Sequence, residues 1–156
     1  VVRSGDVTKA ERAFSDMKER FASTAYAQQA GLLVGKMAFD AGKADTSKAV
    51  LTWVAEKSSD PGYQAVARLR LSSLLMDAKA LDEALVMVGG DFPAEFAPLV
   101  ADRKGDILSA QGKRSDAIAQ YQKAYRGLDE RTDYRRLVEV KLHALGVSPD
   151  KLEATP

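Results

Sequence analysis

Cysteine is absent from this 156-residue chain, and histidine occurs once, as His143. Those two scarcities remove thiolate nucleophiles, disulfide staples, zinc fingers and multi-histidine metal sites. Lack of cysteine is compatible with an oxidising or a reducing compartment, so it does not place the protein. Long apolar runs are missing too: a stretch such as Ala30-Gly31-Leu32-Leu33-Val34-Gly35 falls far short of the roughly 20 residues of a membrane span. Charge of one sign is also lacking. The 23 Lys and Arg face 22 Asp and Glu, a formal net charge of +1, which leaves no broad field to hold nucleic acid or an anionic membrane surface. What is present suffices for a core. Hydrophobic residues make up 46% of the chain, and a fold of this length buries about 70% of the surface its unfolded chain exposes. Disorder as the main state is excluded, and a single domain over 1–156 is expected. The chain opens on Val1-Val2-Arg3 without methionine, from which an upstream segment, processed off or left out, is expected.

Repeats come first, because a missed period misassigns the whole fold. Between Leu99 and Ala124, the residues Gly105, Leu108, Gly112, Ala117, Tyr121 and Ala124 have the spacing of a two-helix unit. Gly105 leaves a side-chain-free spot where the second helix can approach, and Gly112 supplies the positive φ that ends the first helix. Ala117, Tyr121 and Ala124 then form a small-large-small row on one face of the second helix. Gly35, Ala38 and Gly42 repeat the first half 70 residues earlier, with two residues inserted in the turn and Ala49, Trp53 and Glu56 in the second-helix places. A middle unit uses Ser72, Leu75, Lys79, Ala84 and Val88, its second helix cut short at Gly89-Gly90. Gly5, Ala10, Phe14 and Met17 read as the second half of a first unit.

Helix punctuation fits this layout. Thr8 with Glu11 reads as a capping box, and Asp60-Pro61 and Ser148-Pro149 place a capping side chain before a first-turn proline. The spacing predicts first helices near 24–41, 61–78 and 94–111 and second helices near 8–21, 45–58, 81–88 and 114–127. A last helix over 134–144 starts at Thr132 or Asp133 and stops at Gly146. No alternating β-branched run argues for strands, so the fold class is all-α, a short right-handed solenoid of helical hairpins.

These places resemble the tetratricopeptide repeat, although Ala101 stands where that repeat usually has tryptophan and no proline closes the unit 98–131. About three and a half repeats plus a C-terminal capping helix are expected. More specifically, Tyr26-Ala27-Gln28-Gln29-Ala30-Gly31-Leu32-Leu33, Ala65-Val66-Ala67-Arg68-Leu69-Arg70-Leu71-Ser72 and Ala101-Asp102-Arg103-Lys104-Gly105-Asp106-Ile107-Leu108 are similar to the YfgM-like family of bacterial inner-membrane proteins. That resemblance implies a periplasmic tetratricopeptide-like domain whose membrane anchor lies upstream, acting as an ancillary subunit of the SecYEG translocon. It also implies association with a membrane-anchored periplasmic peptidyl-prolyl isomerase and with periplasmic chaperones.

Chemistry has few candidates. His143 lacks an orienting partner or a serine motif and reads as a surface or half-buried residue of the last helix. Asp102 and Asp106, one turn apart, lack the glycine-centred loop of a calcium site and read as a solvated acidic patch. Gly31 and Gly35 read as a close helix contact, and Gly89-Gly90 as a turn. The basic groups Arg68/Arg70, Arg103/Lys104, Lys113/Arg114 and Arg135/Arg136 read as solvated helix faces. No catalytic, cofactor-binding or metal-ligating residue is nominated.

Surface recognition remains. In such a solenoid the first helices line one face, here with Gln29, Leu32, Lys36 and Phe39, then Val66, Leu69, Ser73 and Met76, then Leu99, Asp102, Asp106 and Ser109. Leu32, Phe39, Leu69 and Met76 would suit an apolar peptide or an amphipathic partner helix, or else lie buried under neighbouring helices. One lysine and two aspartates in the row do not make the lysine-asparagine clamp by which tetratricopeptide domains hold the tails of cytosolic chaperones. The expectation is therefore a non-catalytic scaffold on the periplasmic side of the inner membrane, passing secreted proteins to chaperones. The alternative is a structural or oligomerisation adaptor without a client groove.

Overall fold

Two hairpin turns in this chain share one backbone solution. A computed structural model describes residues 4–148, with side chains from residue 6. Helices run over α1 (Ser4–Phe21), α2 (Ala25–Asp40), α3 (Ala44–Lys57), α4 (Pro61–Asp77), α5 (Leu81–Met87), α6 (Ala97–Ala110), α7 (Arg114–Gly127) and α8 (Asp133–Ala144), with a short 3-10 turn, Ala94–Phe96, leading into α6. No strand occurs among the described residues. Gly42 ends the α2 hairpin arm at φ +73° and Gly112 does the same for α6 at φ +75°. In both turns the next amide reaches back to close the helix end, Lys43 N to Ala38 O at 2.8 Å and Lys113 N to Leu108 O at 2.9 Å. Lys79, just after α4, is also left-handed at φ 62°, a backbone reached without glycine.

The glycines of α2 and α6 set the helix separation. A Cβ on Gly105 would lie 2.5 Å from the Tyr121 ring, and one on Gly35 would lie 2.7 Å from Leu51. Both pairs are sixteen residues apart, and α2 ends and α3 starts 70 residues before α6 ends and α7 starts. The expected two-residue insertion therefore does not exist. Ser47, Leu51 and Val54, all buried, take the places of Ala117, Tyr121 and Ala124, whereas Ala49 and Glu56 are exposed. Ser47 fits an alanine place because its hydroxyl donates to Gly35 O at 2.7 Å. Gly31 plays the same part against Val54.

Two caps differ in outcome. Asp60 accepts from Gly62 N and Tyr63 N ahead of Pro61, as expected. Thr8 is no cap: α1 begins at Ser4, and the Thr8 hydroxyl instead accepts from Lys43 Nζ at 3.1 Å, beside the Lys43–Glu11 ion pair at 3.5 Å. Thr132 caps α8 by accepting from Arg135 N, and Gly146 follows the helix at φ +72°. Pro149 of the Ser148-Pro149 signal and the last residues, 150–156, lie outside the described residues.

Packing divides the chain into two compact units, Val1–Ala78 and Lys79–Pro156. In the first, α1 packs on α2, α2 on α3 and α3 on α4. Phe14, Val34 and Val50 form its centre beside Trp53, whose ring meets Phe14 edge-on at 5.3 Å. In the second, α6 packs on α5 and α7, and α7 on α8. Ala101, Ala117, Tyr121, Ala124, Tyr125, Val138 and Leu142 form that core. Among the described residues no helix is long and apolar enough to cross a membrane.

Two substitutions test this reading of the turns and contacts by chemical denaturation. Gly105→Ala gains about 1 kcal/mol of helix propensity but drives a methyl into the Tyr121 ring, an overpacking of about 1–3 kcal/mol, so net destabilisation is expected. Lys79→Gly releases a left-handed lysine and is expected to stabilise by about 0.5–1 kcal/mol.

Candidate functional site

Helices α2 and α4 stand side by side in the first unit and carry two of the three rows of expected partner-binding residues. Gln29 is exposed and its amide donates to the Tyr63 hydroxyl on α4. Lys36 is exposed and pairs with Asp40 one turn on, while Phe39 keeps 45% of its surface in solvent. Leu32, Val66, Leu69, Ser73 and Met76 are half-buried. The two rows thus share a face with apolar patches and a charged edge. Between α2, α3 and α4 this face dips into an open recess of about 230 Å³, floored by Leu51 and Leu74 and edged by Lys36, Phe39, Asp40, Arg70 and Ser73.

Arg70 is the residue that the sequence reading missed. Against the expected solvated face, its guanidinium is half-buried and donates to Leu32 O at 2.7 Å. Burial lowers its pKa, and the charge of Asp40 opposes that shift. The signal was its place on α4, four residues after Val66 and three before Ser73, on the same helix face. Arg135 departs from its solvated assignment in the same way. It lies 4.1 Å over the Tyr125 ring and pairs with Glu130.

The third row, in the second unit, is not an open face. Leu99 is half-buried and Ser109 exposed, but Asp102 is only 2% exposed. Its two carboxylate oxygens accept from Lys141 Nζ at 2.8 and 2.9 Å, and one also accepts from the Tyr134 hydroxyl at 2.7 Å. Asp106 pairs with the same Lys141 at 2.7 Å and accepts from the Tyr121 hydroxyl at 2.9 Å. The expected solvated acidic patch is therefore corrected to a closed cluster, two carboxylates around one ammonium, covered by α8. Val138 and Leu142 bury the α8 face on which Lys141 sits, which is why the lysine is delivered to the acids. Burial, then the negative charge and hydrogen bond of Asp106, pushes the Tyr121 pKa well above its usual value; burial and the bond to Asp102 do the same for Tyr134.

His143 is exposed on α8. Among the described residues no group of three or more His, Cys, Asp or Glu side chains is placed to hold a metal ion. Gly89-Gly90 is a turn, with Gly90 at φ 68°. What the geometry offers is recognition: a half-apolar face with a recess in the first unit.

The chain matches the tetratricopeptide repeat-like domain family over residues 1–147. It is 32% identical over 131 residues to a protein of Neisseria gonorrhoeae (strain ATCC 700825 / FA 1090) named ancillary SecYEG translocon subunit. That alignment takes in 84% of this chain, which spans 63% of the relative's length. No solved structure matches it.

Lys141→Met leaves Asp102 buried without its cation. A loss of about 3 kcal/mol is expected, with faster amide exchange along α8. Tyr121 and Tyr134 hold their protons past the ordinary tyrosine range near 10, so their contribution to stability is present below that pH and declines as pH rises above it. Of the five tyrosines, these two are expected to ionise late in an absorbance titration. Converting both to phenylalanine is expected to reduce the late component.

Proposed function

Because the chain belongs to the tetratricopeptide repeat-like domain family, we propose that it is a non-catalytic protein-interaction scaffold, an ancillary partner of the SecYEG translocon. The observation that carries this reading is the α2–α4 face, where Leu32, Val66, Leu69 and Met76 lie half-buried beside a 45%-exposed Phe39. Such a surface loses water readily against a partner segment. The translocon as partner comes from the gonococcal relative, whose name states that role. A place on the periplasmic side of the inner membrane, next to a membrane-anchored peptidyl-prolyl isomerase and periplasmic chaperones that receive secreted proteins, follows from the YfgM-like resemblance. In this reading Gln29, Lys36 and Ser73 frame the apolar contacts, and the row Leu99, Asp102, Asp106 and Ser109 contributes mainly through the structure of its own unit.

A second reading, an oligomerising adaptor, is favoured by one feature. Leu137 and Val140 lie one turn apart on α8 and are 48% and 62% exposed, whereas an end helix of a repeat array ordinarily shows a polar outer face.

The test is capture of detergent-solubilised membrane proteins on the immobilised chain. Recovery of translocon subunits is expected, reduced at least about tenfold by the Leu69→Glu/Met76→Glu double variant, which should keep its helical circular-dichroism spectrum. Undiminished capture by a folded double variant rejects the α2–α4 face. Sedimentation decides the second reading: a concentration-dependent dimer, lost in Val140→Glu, supports it, and a strict monomer rejects it.

A further inference from the structure

The two units repeat one arrangement with different chemistry. Helices α2 and α3 precede α6 and α7 by 70 residues, and Tyr63 and Arg70 of α4 precede Tyr134 and Lys141 of α8 by 71. In the second unit, Lys141 reaches from α8 to α6 and meets Asp102 and Asp106. In the first, Arg70 reaches from α4 to α2, but the corresponding positions are Leu32 and Lys36. Its protein contact is the carbonyl oxygen of Leu32, and among the described residues no carboxylate is in ion-pair contact with it. Asp40, the acid beside the recess, is already held by Lys36. The recess edge therefore carries two cations and one anion. A guanidinium has five N–H donors arranged to grip a carboxylate in a fork.

We propose that this recess receives an acidic side chain of a partner protein, its carboxylate taking at Arg70 the place that Asp102 and Asp106 fill at Lys141, with the large apolar side chain that follows it resting on Phe39, Leu51 and Leu74. The volume supports a peptide segment: about 230 Å³ holds a side chain or two, below the roughly 300–1,000 Å³ of small-molecule sites. A second apolar hollow beyond Phe39, between Ala44 and Leu74, continues the path for a chain. This inference deepens the scaffold reading and rests on it only for the occupant being a protein.

The test uses the whole chain and three synthetic peptides in a Gly-Ser background, carrying Glu-Phe, Gln-Phe or Glu-Ala, titrated by NMR of backbone amides and arginine Nε–H groups. The Glu-Phe peptide is expected to move the Arg70 Nε–H signal and amides around Phe39. Gln-Phe should bind about tenfold more weakly, the scale of one charge-assisted contact. Glu-Ala should also bind more weakly. In Arg70→Gln the Glu/Gln preference should vanish, and in Phe39→Ala binding should weaken while the preference stays. Should Arg70→Gln fail to fold, the peptide pair on the native chain still decides. Equal binding of Glu-Phe and Gln-Phe, shifts mapping elsewhere, or no binding overturns the proposal, as does inorganic phosphate moving Arg70 as strongly as the peptide. Capture of the translocon with no Glu/Gln preference removes the recess and leaves the scaffold. A preference without capture keeps the recess and removes the translocon.

Discussion

Helix separation in each hairpin is governed by a missing side chain. Gly35 admits Leu51 and Gly105 admits Tyr121, so close that a single added methyl would collide. Close approach gives each bulky side chain many short-range dispersion contacts, small singly and large together, and it fixes the pitch at which the next helix can dock. From that pitch follows which side chains meet. Arg70 arrives at Leu32 and Lys141 arrives at Asp102, α4 and α8 each lying against a hairpin closed on a glycine. The polar chemistry of both units is thus a consequence of an apolar fit.

Most of the helix layout was legible, since the positive-φ turns at Gly42 and Gly112 are written as glycines and Asp60 stands before Pro61. Even Lys79 could be placed, because Ala84 and Val88 kept the spacing around it. The errors came from local pattern-matching that tertiary contacts override. Thr8 with Glu11 has the form of a capping box, but the helix continues upstream and the hydroxyl is taken by Lys43, 35 residues away. Trp53 matches the aromatic of the repeat only through a two-residue insertion that the helix bounds do not contain. Leu51 holds that place, and Trp53 turns to Phe14. The acids of α6 read as solvated because their cation lies far along the chain, 39 residues after Asp102. Long-range partners of this kind leave no trace in local spacing.

The two units use their polar groups differently while keeping one frame. The second spends its polar groups on itself, binding α8 through five side chains that satisfy one another. The first leaves a cation and an aromatic ring at an open face.

Ionic strength separates these two parts. Added salt screens exposed charges, over a length of about 10 Å at 0.1 M that shortens as salt rises, yet it has little access to Asp102, whose side chain is 2% exposed, or to Lys141 at 21%. Lys36 and Asp40, at 58% and 38%, are open to it. Salt that leaves α8 seated would therefore loosen the pair at the edge of the α2–α4 face, so the charge on that face follows the surrounding electrolyte while the fold of the other unit does not.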